Sequence, residues 1–251
     1  EAFSSEICEV ADMIMSALQL SHLGIDKWDD IDRWVRNQFA ECQLTSTNWL
    51  EDGHMTKIDR SGDSMSGAGS DTPQGGTTER VGECAIGSFS GWPSANDFVQ
   101  GSGWSIMHCC TGNGTRAIYH VWESILTATD SRLRVNLLLN RSSQWADVDS
   151  HIPFTGRVDV RMKCAKSLEI RLPEWVVPVA SNSAVCEVNG QQRTLDFDGR
   201  YAVVGPVVAG DAVTLSFPIS ERTEVVEIQG QTYTLILRGN DVVSIDPPGE
   251  N

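Results

Sequence analysis

The sequence predicts an α-then-β fold, with a helical part over residues 1–130 and an antiparallel β-sandwich over residues 131–251. Before about residue 130, apolar residues recur every three or four positions, which is typical of amphipathic helices. After it they recur every second position, which is typical of half-buried strands. The chain has 251 residues, of which 40% are hydrophobic and 21% charged, so it is long enough to bury a substantial core.

Three segments of the first half carry a helical stripe. In SSEICEVADMIMSALQLSHLG, Ser4 or Ser5 can cap the start of a helix and Gly24 follows its end. In KWDDIDRWVRNQFAECQL, Asp29 and Asp30 suit the positive N-terminal end of a helix. The third segment is TRAIYHVWESILTA. The apolar residues of the three stripes are Ile7, Val10, Ala11, Ile14, Ala17 and Leu18; Ile31, Trp34, Val35 and Phe39; and Ala117, Ile118, Val121, Trp122 and Ile125.

About seven short alternating segments follow, separated by turn residues. The first, LRVNLLLN, alternates from Leu133 to Leu139, and the Asn189-Gly190 pair in EVNGQQ is a strong signal for a two-residue hairpin. Short strands with regular breaks indicate an antiparallel sandwich. The other segments are RVDVRMKC, SLEIRLPEW, AVCEVNGQQRTLDF, YAVVGPVV, DAVTLSFPI and TYTLILRG.

The charge of the chain argues against two classes of partner. Its formal net charge is −15, and so acidic a protein repels phosphate backbones and anionic lipid. We therefore expect no nucleic-acid partner and no membrane partner, whereas neutral sugars remain compatible. No run of eighteen apolar residues occurs, and the opening EAFSSEICEV has no features of a signal peptide.

Two adjacent cysteines, Cys109 and Cys110, stand in the stretch HCCTGNG. Two small buried residues and a strained vicinal disulfide are possible interpretations. The context favours a metal site, because Gly112 and Gly114 permit a sharp turn in which both thiols face one point. A helix beginning at about residue 114 would then stabilise thiolates at its N-terminal end. Zinc is the cation that suits mixed Cys, His and carboxylate ligation.

Several residues could complete such a site. Glu6 and Cys8 can aim at one point only from the entry to the first helix, since residues two apart lie about 200° apart on a regular helix. The other candidates are Glu83, Cys84, His54, His108 and His120. The residues alone leave these alternatives open.

Aromatic residues near the Cys-Cys pair are typical of a sugar-binding cleft. Trp92 and Trp104 lie in the loop-like FSGWPSANDFVQGSGW, together with Asn96. Aromatic faces beside polar side chains match the apolar rings and hydroxyl groups of a sugar. We expect Trp92, Trp104, Asn96 and His108 to contact substrate.

Four stretches, in order and over most of the chain, resemble glycoside hydrolase family 127, the β-L-arabinofuranosidase-like enzymes. They are SEICEVADMI; WDDIDRWVRNQFAE; IMHCCTGNGTRAIYHVWESI; and the segment from RLRVNLLLNRSSQW to RLPEW. The resemblance implies an (α/α)6 barrel followed by β-sandwich domains. It also implies a zinc held by Glu6, Cys8, Cys109 and Cys110, with Cys109 as the nucleophile of a retaining hydrolase acting on an arabinofuranoside-like sugar.

The chain departs from the family pattern in two places. The family's general-acid Glu precedes the Glu-x-Cys motif, so here it would lie before residue 1. With only four or five helices where a barrel needs twelve, we expect the chain to be a C-terminal fragment that is inactive or poorly active alone, and its localisation stays open. Residues 51–80, rich in Gly, Ser, Thr and Asp, are expected to form a long irregular excursion between the two metal-binding stretches.

Two other classes of function remain. One is a non-catalytic carbohydrate-binding or scaffolding module in which the cysteines are structural, and its zinc content would distinguish it from the enzyme. The other is a thiol redox protein, which we rank last because the sequence has no CxxC motif.

Overall fold

Helices precede strands along the chain, as the sequence predicts. The structure is a computed structural model that describes residues 6–46, 80–93, 106–177, 184–228 and 230–248. Within these ranges no helix combines the length and the apolar character needed to cross a bilayer. The helices are α1 (Ile7–His22), α2 (Trp28–Trp34), which continues into a π-helical stretch (Val35–Phe39), α3 (Val81–Cys84) and α4 (His108–Ser124).

Helix α1 confirms its predicted stripe. All six predicted apolar residues are buried, because they recur at the period of the helix and form one face. The helix ends at His22 and is followed by Leu23 and Gly24, and Gly24 takes the positive φ of +90° that such a C-terminal turn needs. The residue that precedes its first turn is Glu6, with extended backbone; Ser4 and Ser5 lie outside the described residues.

The second stripe is confirmed in part. Ile31 and Phe39 are buried, whereas Trp34 and Val35 are only half-buried. The helix does not run straight through the segment, because Asn37 leaves helical geometry at φ −99° and ψ −109°.

Helix α4 differs from the prediction at its start. It begins at His108, so Cys109 and Cys110 lie in its first turn, and Gly112 and Gly114 lie inside the helix. The predicted sharp turn at the two glycines is wrong. The start is set by Met107, whose backbone is extended (φ −118°, ψ 138°).

The buried face of α4 also differs from the predicted stripe. Ala117 and Val121 are buried as expected, but Ile118 and Trp122 are 41% and 43% exposed. The buried face includes Cys110 and Gly114 instead, because Cys110 contacts Cys8 of α1 and the Phe89 ring packs against Gly114. The Trp122 ring is covered in part by the Arg141 guanidinium, 4.3 Å from its centroid.

The two glycines of α4 should respond oppositely to substitution by alanine. A Cβ on Gly114 would lie 2.6 Å from the Phe89 ring, which is fully buried, whereas a Cβ on Gly112 would meet open space. We expect Gly114→Ala to lower the free energy of unfolding by about 1–3 kcal/mol. We expect Gly112→Ala to raise it by about 0.5–1 kcal/mol, because alanine loses less backbone entropy in a helix. Urea denaturation of both variants measures the difference, and equal effects would contradict this packing.

The strands form three sheets. They are β1 (Leu126–Ala128), β2 (Arg132–Val135), β3 (Arg141–Ser142), β4 (Ala146–Ser150), β5 (Arg157–Met162), β6 (Lys166–Arg171), β7 (Val185–Val188), β8 (Gln191–Arg193), β9 (Asp196–Asp198), β10 (Tyr201–Val207), β11 (Ala212–Ser216), β12 (Glu221–Ile228), β13 (Gln231–Arg238) and β14 (Asp241–Asp246). The first sheet has the order β1-β2-β6-β10-β9, the second β3-β4-β5-β11-β7-β8 and the third β12-β13-β14.

The pairing is antiparallel with one exception among the described strands, since β2 and β6 run parallel. Inward residues such as Leu133 on β2 and Val160 on β5 are buried and belong to one hydrophobic cluster that also includes the buried residues of α1 and α4. The alternation predicted through Leu139 ends at Val135, because β2 ends there and Leu138, out of phase, is also buried.

The predicted hairpin at Asn189-Gly190 is confirmed. It joins β7 to β8, and both residues have positive φ, at 53° and 76°. Positive φ at both central residues is the requirement of a type I′ turn, which asparagine and glycine meet at low cost.

Buried charged groups join the helical part to the sheets. Arg171 on β6 is 5% exposed and pairs with Asp26 and with Asp29, at the start of α2. Asp29 also accepts a hydrogen bond from the backbone N–H of Glu174 at 2.9 Å. These contacts fix α2 against the first sheet.

The third sheet is held against the helices by Asn37. Its Nδ2 donates to the carbonyl of Asn240 at 2.8 Å, and its Oδ1 accepts from the backbone N–H of Val242 at 2.8 Å. The Asn240 side chain in turn donates to Asp32 at 2.9 Å. The irregular backbone at Asn37 therefore coincides with the contact that fixes the β13–β14 turn.

Candidate metal centre

Helices α1 and α4 lie side by side and run in the same direction. Near their starts, Cys8 contacts Cys110. Near their ends, His22 lies 3.2 Å from the Ser124 hydroxyl. Because contacts at both ends pair start with start and end with end, the two N-terminal ends meet at one place.

Four donor side chains converge at these two helix starts. One ligand atom from each of Glu6, Cys8, Cys109 and Cys110 lies within 4.8 Å of every other. The sulfur of Cys110 is 3.5 Å from that of Cys8, 3.8 Å from that of Cys109 and 3.9 Å from Oε1 of Glu6. The four residues that the resemblance singles out are thus brought together by the fold.

The local backbone explains how Glu6 and Cys8 aim at one point. Glu6 has extended backbone and precedes the helix, whereas Cys8 lies in its first turn, so the helical separation of residues two apart does not apply. The backbone N–H of Ile7, between them, donates to the carbonyl of Gly91 at 3.0 Å. The same carbonyl lies 3.8 Å from the Cys110 sulfur, and it therefore ties the starts of both helices together.

The spacing fits a tetrahedral zinc ion. Zinc–sulfur bonds of about 2.3 Å in tetrahedral geometry separate two sulfurs by about 3.8 Å. The two sulfur–sulfur distances from Cys110, 3.5 and 3.8 Å, match that spacing. Three thiolates and one carboxylate also form a donor set that zinc accepts.

The environment favours the neutral form of the Cys8 and Cys110 thiols when no cation is present. Burial raises the pKa of the Cys110 thiol, and its neighbours Cys8 and Cys109 raise that pKa further. Burial also raises the pKa of Cys8, and the hydrogen bond from Asn113 acts in the opposite direction. The positive ends of two helices favour thiolates, but a divalent cation would supply the larger part of the compensating charge.

Three of the other candidate ligands, Glu83, Cys84 and His120, are not part of this group of four. Glu83 and Cys84 are exposed on α3, where Glu83 pairs with Arg80. His120 is 3.7 Å from Glu123, on α4. His54 lies outside the described residues.

The predicted substrate contacts are only partly described. His108 is exposed at the start of α4, next to Cys109, and Trp92 is half-buried. Trp104 and Asn96 lie outside the described residues. The role of these four residues in substrate binding stays a prediction.

Sequence reasoning missed Asn113. Its Nδ2 donates a hydrogen bond to the Cys8 sulfur at 3.2 Å. The signal was its position three residues after Cys110, which places both on one helix face. The prediction of a helix start at about residue 114 leaves Cys110 and Asn113 outside the helix, so it gives no reason to place them on one face.

No protein-family model and no curated protein matches the sequence. Among solved structures, it is similar to a glycoside hydrolase (19% identity, TM-score 0.45, covering 62% of this chain and 30% of the other). A GH127 beta-arabinofuranosidase is similar at 18% identity and TM-score 0.43, over 63% of this chain and 30% of the other. A GH127 beta-L-arabinofuranosidase from Geobacillus stearothermophilus T6 is similar at 21% identity and TM-score 0.39, over 68% and 27%.

Two of these three structures belong to the family that the sequence motifs resemble. The chain spans less than a third of the length of each of the three. The TM-scores are below 0.5, so the chemistry of this chain is inferred from its four donor side chains.

Proposed function

We propose that this chain carries the zinc site of a retaining glycoside hydrolase that acts on an arabinofuranoside-like sugar. The observation that carries the proposal is the convergence of Glu6, Cys8, Cys109 and Cys110 within 4.8 Å. In the same proposal, the helices belong to an (α/α)6 barrel and the two larger sheets form a β-sandwich, with residues 1–130 and 131–251 as the two domains.

The burial of the thiols supports Cys109 as the nucleophile. Cys110 is 0% exposed, which argues against attack by its sulfur, whereas Cys8 and Cys109 are both half-buried. Between these two thiols, the family resemblance selects Cys109. Cys110, with Cys8 and Glu6, is then the anchoring part of the donor set. When bound, zinc supplies positive charge that keeps the thiols deprotonated at neutral pH.

The reaction follows from a thiolate nucleophile. The Cys109 sulfur attacks the anomeric carbon and forms a thioglycosyl bond, while the glycosidic bond breaks and the leaving oxygen takes a proton from a general acid. Water then attacks the anomeric carbon and gives its proton to the conjugate base of the general acid. The thioglycosyl bond breaks, which returns the thiolate and releases the sugar with its configuration retained. The family resemblance places that general acid before residue 1.

Metal analysis of the purified 251-residue chain tests the site. We expect about one zinc per chain in the wild type and close to none in Cys110→Ala, because that change removes the central donor. The matched control is Cys186→Ala, since Cys186 is also buried but lies on β7, and it should keep its zinc. A wild-type chain without zinc would overturn the proposal and favour a module with structural cysteines.

A further inference from the structure

Asn113 connects the two helices that supply the thiols. It lies on α4, three residues after Cys110 and four after Cys109, so the three side chains share a helix face. Its amide nitrogen donates to the Cys8 sulfur on α1, at 3.2 Å. A residue that is not a metal donor therefore holds one of the donors in place.

The charge of the donor set explains what such a contact does. Three thiolates and one carboxylate carry four negative charges, which exceed the two positive charges of a zinc ion. A neutral amide N–H beside one sulfur takes up part of this excess, because hydrogen bonds to charged acceptors are stronger than those between neutral groups. It also restricts the rotation of that side chain, so less conformational entropy is lost when a metal binds.

The three sulfurs differ in their surroundings. The Cys8 sulfur accepts a hydrogen bond from the Asn113 amide. The Cys110 sulfur is buried beside the Gly91 carbonyl. Over the ranges that the structure describes, the Cys109 sulfur interacts with the sulfurs of Cys110, at 3.8 Å, and of Cys8. The Asn113 amide thus donates to the sulfur of Cys8, which stays a ligand in the proposed reaction. The attacking sulfur in that reaction is that of Cys109.

We infer that Asn113 is a positioning residue of this centre, whose amide holds Cys8 as a permanent ligand and leaves Cys109 as the more reactive thiolate. The inference rests on the proposed function. It adds the residue that distinguishes the three thiols from one another.

Zinc affinity of the 251-residue chain tests the inference, measured by competition with a chromogenic chelator. Asn113→Leu keeps the branched shape and the number of side-chain heavy atoms but removes the N–H, and we expect it to weaken zinc binding by about 10–100-fold. Asn113→Asp should weaken it further, because it places another negative charge beside Cys8. The control is Thr115→Val, since Thr115 is exposed and its hydroxyl donates to the Thr111 carbonyl of the same helix at 2.8 Å. The zinc affinity of this variant should equal that of the wild type.

Cobalt in place of zinc adds a readout that a merely structural role would not move. The absorption band for charge transfer from thiolate to cobalt should shift to lower energy in Asn113→Leu, because the sulfur lone pairs lose a hydrogen bond. Far-UV circular dichroism checks folding, and if Asn113→Leu does not fold, the isosteric Asn113→Asp decides.

The outcomes separate the two claims. A wild type that binds zinc, together with an Asn113→Leu variant of unchanged affinity and unchanged cobalt spectrum, would overturn the inference and leave the proposed function standing. A wild type that binds neither ion would overturn the proposed function and the inference with it.

Discussion

Cys109→Ser should lower the hydrolysis of an aryl arabinofuranoside by about 10³-fold or more, since removing the nucleophile of a covalent mechanism has effects of this size or larger. A serine hydroxyl places an oxygen where the cysteine sulfur was. It is far less acidic than a thiol, so it is not deprotonated at neutral pH. An aryl leaving group needs little protonation, and the assay therefore depends little on a general acid. Release of the phenol measures turnover, with the protein extended upstream if the 251-residue chain alone is inactive.

The control for this prediction is Cys186→Ser, which alters a buried thiol on β7 and should change turnover little. A mechanism-based inhibitor adds an independent measurement, because mass spectrometry should find its label on Cys109. Near-normal turnover of Cys109→Ser, or a label on Cys110 or Cys8, would assign the nucleophile elsewhere.

Arg171→Met should lower the free energy of unfolding by about 3–5 kcal/mol, because removing one member of a buried ion pair leaves the other charge buried and unpaired. Arg171 is 5% exposed, and its partner Asp29 is also buried. Asp29 cannot regain water without moving α2 away from β6. Urea denaturation, followed by far-UV circular dichroism, measures the loss.

Two variants make this prediction specific. Adding Asp29→Asn to Arg171→Met should restore part of the stability, since the buried charge is gone while an oxygen still accepts the Glu174 N–H. Arg238→Met breaks an exposed pair with Glu221 and should cost no more than about 1 kcal/mol. If Arg171→Met and Arg238→Met lower the free energy of unfolding equally, the buried pair of Arg171 and Asp29 does not stabilise the contact between β6 and α2.

Some features of the fold could be predicted from the sequence because they are local. The stripe from Ile7 to Leu18 depends only on the period of a helix, and all of it is buried. The Asn189-Gly190 hairpin depends on two residues that tolerate positive φ. In both, neighbours in the sequence are neighbours in space.

Other features could not be predicted from the sequence, because they depend on how helices and strands pack. Ile118 and Trp122 fit a helical period, yet they are exposed because α1 packs against a different side of α4. The parallel pairing of β2 with β6 has no local signal, since nothing in either strand specifies its neighbour.

The candidate site shows the same division. The sequence alone determined the types of donor and their places at helix starts, through Glu-x-Cys and Cys-Cys. Only the tertiary structure decided that Cys8 and Cys110, 102 residues apart, lie 3.5 Å from each other, and that Asn113 contacts one sulfur of the three. The physical reason is that backbone geometry orders residues within one turn of a helix, whereas contacts between helices depend on the packing of whole faces and on the Gly91 carbonyl that joins their starts.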